Sequence, residues 1–285
     1  MGPLQGLKVL EMGQLIAGPF AAKTLADFGA DVVKIEPPGS GDPLRKWRLL
    51  HEGTSVWWQV QSRNKKSVAL DLKSPEARDI VRRLIDGCDV LIENFKPGVM
   101  ESWGFDHATL ARTNPGLIML RISGYGQTGP YKDRPGFGVV AEAMGGLRHL
   151  TGEQGRVPVR VGVSIGDTLA SLHGVIGILM ALHHRHATGQ GQVIDVALYE
   201  AVFNCMESLL PEYSAFGASS LTLACRCCSA ISTPMTPCSE ANVSPMLTPT
   251  RTGTRPGSPV RWRSPPIASA TTPKPGRSRY GPVWP

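Results

Sequence analysis

Leu7-Lys-Val-Leu-Glu-Met, Phe20-Ala-Ala-Lys-Thr-Leu-Ala-Asp-Phe28 and Asp31-Val-Val-Lys-Ile-Glu36 decide the fold class. The outer two are short apolar and β-branched runs and read as strands. The middle run reads as a helix, with Ala21, Ala22, Leu25 and Ala26 as good helix formers. Strand, helix and strand in close succession make a β-α-β unit, and its crossover sets the two strands parallel.

Working outward, the same alternation repeats. Pro37-Pro38-Gly39 stops the second strand, and Ser67-Val-Ala-Leu-Asp-Leu72 reads as another. Ser74-Pro75-Glu76 has the order of a helix start: a capping serine, proline in the first turn, then an early acid. The helix it opens, Glu76 to Asp86, places Ile80, Val81, Leu84 and Ile85 at helical spacing. Asp89 to Glu93 and Gly116 to Ile122 are further strands, with a helical Phe105 to Arg112 between them. Val139 to Leu150 and Asp167 to His186 read as helices. Gly189-Gln-Gly-Gln turns into the strand Val193 to Ala197, and Glu200 to Ser214 is helical again. The expected fold is therefore α/β, a Rossmann-like open doubly wound parallel sheet. Ligands in such sheets sit beyond the carboxyl ends of the strands. That puts Met12 to Pro19, Glu36 to Gly41, Asn94 to Gly98 and Ser123 to Gly129 on one rim.

The grammar breaks after Gly217. Up to that point basic and acidic residues balance, 22 of each, whereas the remainder has eight basic residues and one acid, Glu240. The whole net charge of +7 thus belongs to residues 218–285, and it says nothing about partners of residues 1–217. Ser, Thr, Pro and Arg dominate that segment, no apolar period survives, and the composition is that of a disordered chain. A basic arm for a polyanion is one reading. Out-of-frame translation of a GC-rich coding sequence is the other, and the scattered charges and sparse aromatics (Trp262, Tyr280, Trp284) favour it. No nucleic-acid partner is expected.

Cys88 and Cys205 lie apart in apolar surroundings, which suggests core packing in a reducing compartment. The N-terminus lacks a charged region followed by a long apolar run, so no signal peptide is read and the cytoplasm is the expected location. Leu169 to Leu182, the most apolar stretch, is shorter than the roughly 20 residues of a membrane span, so no membrane partner is expected.

Asp167 stands out in Arg160-Val-Gly-Val-Ser-Ile-Gly-Asp-Thr-Leu-Ala-Ser-Leu-His-Gly. An aspartate before an apolar helix is commonly an N-cap. It can equally be a nucleophile: Gly166 lets a carbonyl approach, the helix dipole favours the anion, and a carboxylate can attack a thioester covalently. The spacing alone does not choose. His183, His184 and His186 suit the last turn of a helix better than a metal site. Cys225-Arg-Cys-Cys lacks the second pair that a zinc site needs. No metal is expected, and no Gly-x-Gly-x-x-Gly follows the first strand as in a dinucleotide oxidoreductase.

One resemblance joins these pieces. Leu4, Gly6-Leu-Lys-Val-Leu-Glu, Ala17-Gly18-Pro19, Leu25 through Glu36, Gly39-Ser-Gly-Asp and Asn64-Lys65-Lys-Ser occur in the order found in family III CoA-transferases. Leu70-Asp-Leu-Lys, Glu93-Asn-Phe-Lys-Pro-Gly, Ser123-Gly-Tyr-Gly-Gln-Thr-Gly-Pro, the Asp167 segment, Gly177-Ile-Leu-Met-Ala-Leu and Thr188 through Ala201 continue it. The chain resembles that family, also called CaiB/BaiF, whose members include formyl-CoA and carnitine CoA-transferases. The resemblance implies an incomplete large domain over residues 1–217 and a homodimer of interlocked chains. It implies that Asp167 carries the acyl group through an anhydride and an aspartyl-CoA thioester. Acyl-CoA and a carboxylic acid would be substrates, with no permanently bound cofactor.

Ala17, Leu70, Asp71, Leu72, Lys73, Asn94 and Phe95 match positions that line CoA in the family, although a solvated lysine after a strand is an equal reading of Lys73. Ile16, Pro37 and Ser102 depart from family Gln, Arg and Arg, against a formyl-CoA or oxalate specialist. Phe137 falls where the related 2-methylacyl-CoA racemases have a histidine. It lies at the CoA site but cannot carry a proton, which favours transferase over racemase. Nothing after Gly217 resembles the family, so the alternative expectation is a truncated, inactive relative retaining at most partial CoA binding.

Overall fold

In the computed structural model, residues 2–151 and 156–217 and the backbone of residues 260–261 are described. Strand β1 (Lys8–Glu11) leads through helix α1 (Ala17–Asp27) to β2 (Asp31–Glu36). A small antiparallel pair, β3 (Leu50–His51) and β4 (Thr54–Ser55), and helix α2 (Val56–Gln61) precede β5 (Lys65–Ala69). Then come α3 (Pro75–Asp86), β6 (Val90–Glu93), two short helices α4 (Val99–Ser102) and α5 (His107–Leu110), and β7 (Ile118–Ser123). Helix α6 (Gly138–Met144), the long α7 (Ile165–Thr188), β8 (Val193–Ala197), α8 (Leu198–Phe203), α9 (Leu209–Phe216) and β9 (Val260–Arg261) complete the order.

The main sheet runs β5-β2-β1-β6-β7-β8-β9, and every ladder in it is parallel. The expected fold class is the observed one. Strands β6, β7 and β8 are buried along their whole length, as a parallel sheet covered on both faces requires. Alternation then sorts side chains between two cores. Val9, Val90, Ile92, Ile118, Leu120 and Ile122 face α1 and α7, while Leu10, Leu91 and Met119 face Val81 and Ile85 of α3 and Leu110 of α5. Ser74 caps α3 as read from the sequence, its Oγ accepting from Ala77 N at 3.3 Å.

Several boundaries differ from expectation. The stretch read as one helix over 139–150 breaks at Gly145 and Gly146; Gly146 takes φ +95°, a left-handed conformation that ends α6 and starts a short 3-10 turn at Leu147–Leu150. The helix expected over 200–214 divides into α8 and α9, with Glu207 at φ +49° between them. The strand expected at 67–72 pairs instead over 65–69. Cys205 is exposed rather than in the core. Helix α7 has 24 residues, enough by length and apolarity to cross a membrane, which corrects the expectation that its apolar stretch is too short. Its Ala170, Gly174, Ile178 and Ala181 are buried. Ala170, Ile178 and Ala181 pack into the core that covers the sheet, so α7 serves as a core helix. Of residues 218–285, the two-residue strand β9 is described; the remainder, with the readings made of it, lies outside the described residues.

Beneath the loop after β1 lies a buried charge network. Lys34 Nζ is 2.7 Å from Glu11 Oε1, 2.9 Å from Asp42 Oδ2 and 2.6 Å from the Gly13 carbonyl oxygen. Lys65 Nζ is 2.6 Å from Glu11 Oε2 and 2.7 Å from the Pro19 carbonyl oxygen. Burial by itself disfavours the Lys34 cation, but Glu11 and Asp42 outweigh it and hold its pKa above the ordinary value. Asp42 also accepts from Leu15 N at 3.1 Å. That bond helps fix Leu15 at φ +63°, a strained conformation for a leucine. The loop is therefore tied down from below at four backbone points, Gly13, Leu15, Pro19 and, through Asn94, Gln14.

Candidate active site

Going along the sheet, chain order reverses between β1 and β6. At such a switch point the two following loops diverge to opposite faces and leave a crevice. The loops after β1, β6 and β7, together with the start of α6 and of α7, enclose a cleft of about 410 Å³ there. That is room for a small-molecule group. Asn94 closes its floor by clamping the first loop, accepting from Gln14 N at 2.7 Å and donating to Gln14 O at 2.8 Å. Gly124 and Gly136 cross so closely that a Cβ built on either would lie 2.5 or 2.4 Å from the other's Cα. Gly124→Ala is expected to destabilise the fold by about 1–3 kcal/mol, read as a lower urea midpoint, because backbone meets backbone and nothing flexible can yield.

Of the residues singled out from sequence, Ala17, Asn94, Phe95, Phe137 and Asp167 line this cleft. Leu70, Asp71, Leu72 and Lys73 do not. They follow β5, which pairs beyond β2, two strand spacings or roughly 10 Å from β1. Leu70 and Leu72 pack against the core that holds α3, and Asp71 and Lys73 are exposed, with Lys73 N donating to Asp71 Oδ1. The loop at 36–41 is also outside the cleft. Glu36 is occupied by Arg45, at 2.7 and 2.8 Å, and by Ser67 at 2.6 Å. Ile16 lines the cleft, whereas Pro37 and Ser102 do not.

Asp167 is not a helix cap. Ser164 flanks α7, so Asp167 is the third helical residue. Ser171, one turn on, places its Oγ 2.6 Å from the Asp167 carbonyl oxygen and 2.7 Å from the Ala17 carbonyl oxygen, seating α7 on α1. The Asp167 carboxyl is half-buried. Burial pushes its pKa from 3.8 up to about 6; the neighbouring Glu142 carboxylate adds to the rise, and Arg160 opposes it. Space around it is made by glycine. A Cβ on Gly138 would fall 2.1 Å from Asp167 Oδ2, and one on Gly166 would fall 2.9 Å from the Gly138 carbonyl oxygen.

Residues that sequence reasoning passed over complete the cleft. Trp47, Lys132, Arg134 and Arg160 line it, beside Lys96 from the rim segment Asn94 to Gly98. Among the described residues that line it are four cations and one carboxylate, Asp167, so the cleft favours an anionic ligand. Glu142, on α6, is fully buried and holds Arg160 through two bonds of 2.9 and 3.3 Å. Arg160 belongs to the segment quoted above, but nothing in the spacing ties it to a glutamate eighteen positions earlier.

Comparison with known proteins agrees with this geometry. Residues 4–222 match the sequence profile of CoA-transferase family III. The chain is 52% identical over 216 residues to succinyl-CoA–D-citramalate CoA-transferase of Chloroflexus aurantiacus, covering 75% of this chain and 54% of the relative. It is 38% identical over 212 residues to human succinyl-CoA:glutarate CoA-transferase, covering 74% and 48%. Among solved structures, a CaiB/BaiF family protein from Brucella suis superposes with a TM-score of 0.73 at 41% identity, covering 76% of this chain and 59% of that one. The chain spans about half the length of the curated relatives it matches. With an α/β sheet shared at that level of identity and a profile match across most of the chain, the conclusion is direct: the chain belongs to CoA-transferase family III.

Proposed function

We propose that this protein transfers CoA between an acyl-CoA and a carboxylic acid, with Asp167 as the covalent carrier. The observation that supports this most is a single half-buried carboxylate, Asp167, in an otherwise cationic cleft at the switch point of the sheet. An Asp167 oxygen attacks the thioester carbonyl; the C–S bond breaks, CoA thiolate leaves, and an anhydride remains. The thiolate then attacks the aspartyl carbonyl and releases the donor acid as its carboxylate, leaving an aspartyl-CoA thioester. An acceptor carboxylate reverses these two steps and departs as the new acyl-CoA, restoring Asp167. Several relatives are named for succinyl-CoA with a second dicarboxylic acid, which supports dicarboxylates as the substrate class.

The test is intact mass after incubation with acyl-CoA and hydroxylamine, which traps an activated aspartyl group as a hydroxamate. A hydroxamate on Asp167 is the expected result. Its absence in folded protein leaves the reading of a chain that retains CoA binding at most. Gly138→Ala gives a second check. Its Cβ would collide with Asp167 Oδ2 while leaving every catalytic atom present, so trapping is expected to slow by roughly a hundredfold through misplacement alone. Racemisation has less support, since Phe137 at the cleft cannot carry a proton.

A homodimer is part of the same proposal. Leu172, Ile176, Leu179 and Met180 form an exposed apolar stripe along α7. A second copy covering it would bury this face, and sedimentation of the purified chain as a monomer at micromolar concentration would count against that.

A further inference from the structure

Among the described residues of the cleft wall, Arg160 is the one cation held by a fully buried carboxylate. Glu142 accepts from its Nε and Nη2, at 3.3 and 2.9 Å, and its own side chain is 1% exposed. A guanidinium has five N–H donors in a rigid plane, and Glu142 engages one edge of it. The Arg160 side chain is still 43% exposed and lines the cleft together with Asp167. Among the described residues, its Nη1 takes no part in the bonds that anchor it. An arginine fixed on one side and open on the other is suited to recognising a second carboxylate.

We propose that Arg160 binds the distal carboxylate of the acyl group, positioned by Glu142, and so selects dicarboxylic over monocarboxylic substrates. This rests on the transferase reading given above. CoA's own phosphates lie at the far end of the pantetheine arm from the thioester, so a cation beside the nucleophile meets the acyl group instead. Donor acyl and acceptor acid occupy the same place in turn, because each is exchanged onto the same aspartate. One arginine therefore serves both halves of the reaction. Arg160 is a binding residue in this scheme, and Glu142 a positioning residue that keeps its plane aligned.

The experiment compares the rate of Asp167 hydroxamate formation from succinyl-CoA and from butyryl-CoA, which have the same chain length and differ in the terminal carboxylate. In the unaltered protein succinyl-CoA is expected to react faster. Arg160→Gln is expected to lower the succinyl-to-butyryl rate ratio by roughly ten- to a hundredfold, the range set by a lost charged hydrogen bond. Because that variant strands Glu142 without its cation, the double variant Glu142→Gln/Arg160→Gln removes both charges, and the same fall in ratio is expected. Arg160→Lys, which keeps charge but not the planar fork, should recover only part of it. A ratio unchanged in both the single and the double variant overturns the proposal and leaves the transferase reading intact. Equal slowing with both donors overturns it too, since Arg160 would then act on the reacting carbonyl or on Asp167. No trapping from either donor in the folded, unaltered protein removes the transferase reading itself, and this inference with it.

Discussion

Asp167→Asn is expected to abolish acyl trapping and, at the same time, to make the protein harder to unfold at pH 8. The first effect follows from chemistry: an amide is not a nucleophile, and removing a covalent carrier costs on the order of a thousandfold or more in rate. The second follows from electrostatics. The folded state raises the Asp167 pKa from 3.8 to about 6 because it takes the carboxyl partly out of water. Below about pH 4 the group is protonated folded or unfolded, and this position carries no penalty. Between about 4 and 6 the unfolded chain ionises more readily, so stability falls as pH rises. Above 6 the penalty is complete, at roughly 2–3 kcal/mol. Asparagine keeps the shape without the charge, so its gain should be present at pH 8 and vanish at pH 4. Thermal or urea unfolding at the two pH values measures this. A variant less stable than the parent at pH 8 would mean that the ionised carboxylate is well solvated, or satisfied by bonds that offset its burial. The trapping rate of the unaltered protein should rise with pH through about 6, since only the carboxylate attacks.

Lys34→Met should have the largest effect on stability. It removes the cation between Glu11 and Asp42, both buried, and leaves two carboxylates facing a methionine. Breaking a buried pair in this way costs about 3–5 kcal/mol, a large part of the 5–15 kcal/mol that holds a typical domain folded. Lys65 stays on Glu11, so the remaining strain falls chiefly on Asp42. Adding Asp42→Asn should therefore cost much less in the Lys34→Met background than alone, a coupling that a double-mutant cycle in urea measures directly. A single-variant loss below about 1 kcal/mol would mean that water enters and replaces the lysine. The loop after β1 also loses the Lys34 bond to the Gly13 carbonyl, so trapping by any protein that remains folded should slow as well.

The sheet was legible because its signal is local. Each strand is a short apolar run, each crossover a helix with its own start and stop, and parallel order follows from those connections. What local grammar could not convey was the interruption of long apolar helices by particular backbone conformations. Gly146 and Glu207 adopt positive φ within stretches whose side chains alone read as continuous helix. Helix α2 was missed for a different reason: Val56-Trp-Trp-Gln-Val-Gln carries no Ala or Leu, and its start depends on Ser55 accepting from Trp58 N.

At the site, the contrast is between residues set by a strand end and residues set by a meeting of loops. Asn94 and Phe95 follow a buried strand directly, and the switch-point rule places them at once. The rule reaches less far than the whole rim: Glu36 to Gly41, after β2, lie outside the cleft, as do Leu70 to Lys73, which the family resemblance rather than the rule singled out. Gly138, Glu142 and Arg160 could not have been found this way. Their roles exist only because α6 and the segment before α7 are brought side by side, a contact that the sequence does not encode at short range.

The hydrogen bond from Ser171 to Ala17 joins positions 154 residues apart. During synthesis at about 5–20 residues per second, α1 waits on the order of ten to thirty seconds for α7 to be made. Through that interval α1 lacks its main helical neighbour, and the cleft has no nucleophile. Strand β8 and Leu198, which lines the cleft, follow later still, so catalytic assembly comes late in the maturation of this part of the sheet. The apolar face of α1 that α7 will cover is expected to be the surface a chaperone would shield until the helix bearing Asp167 leaves the ribosome.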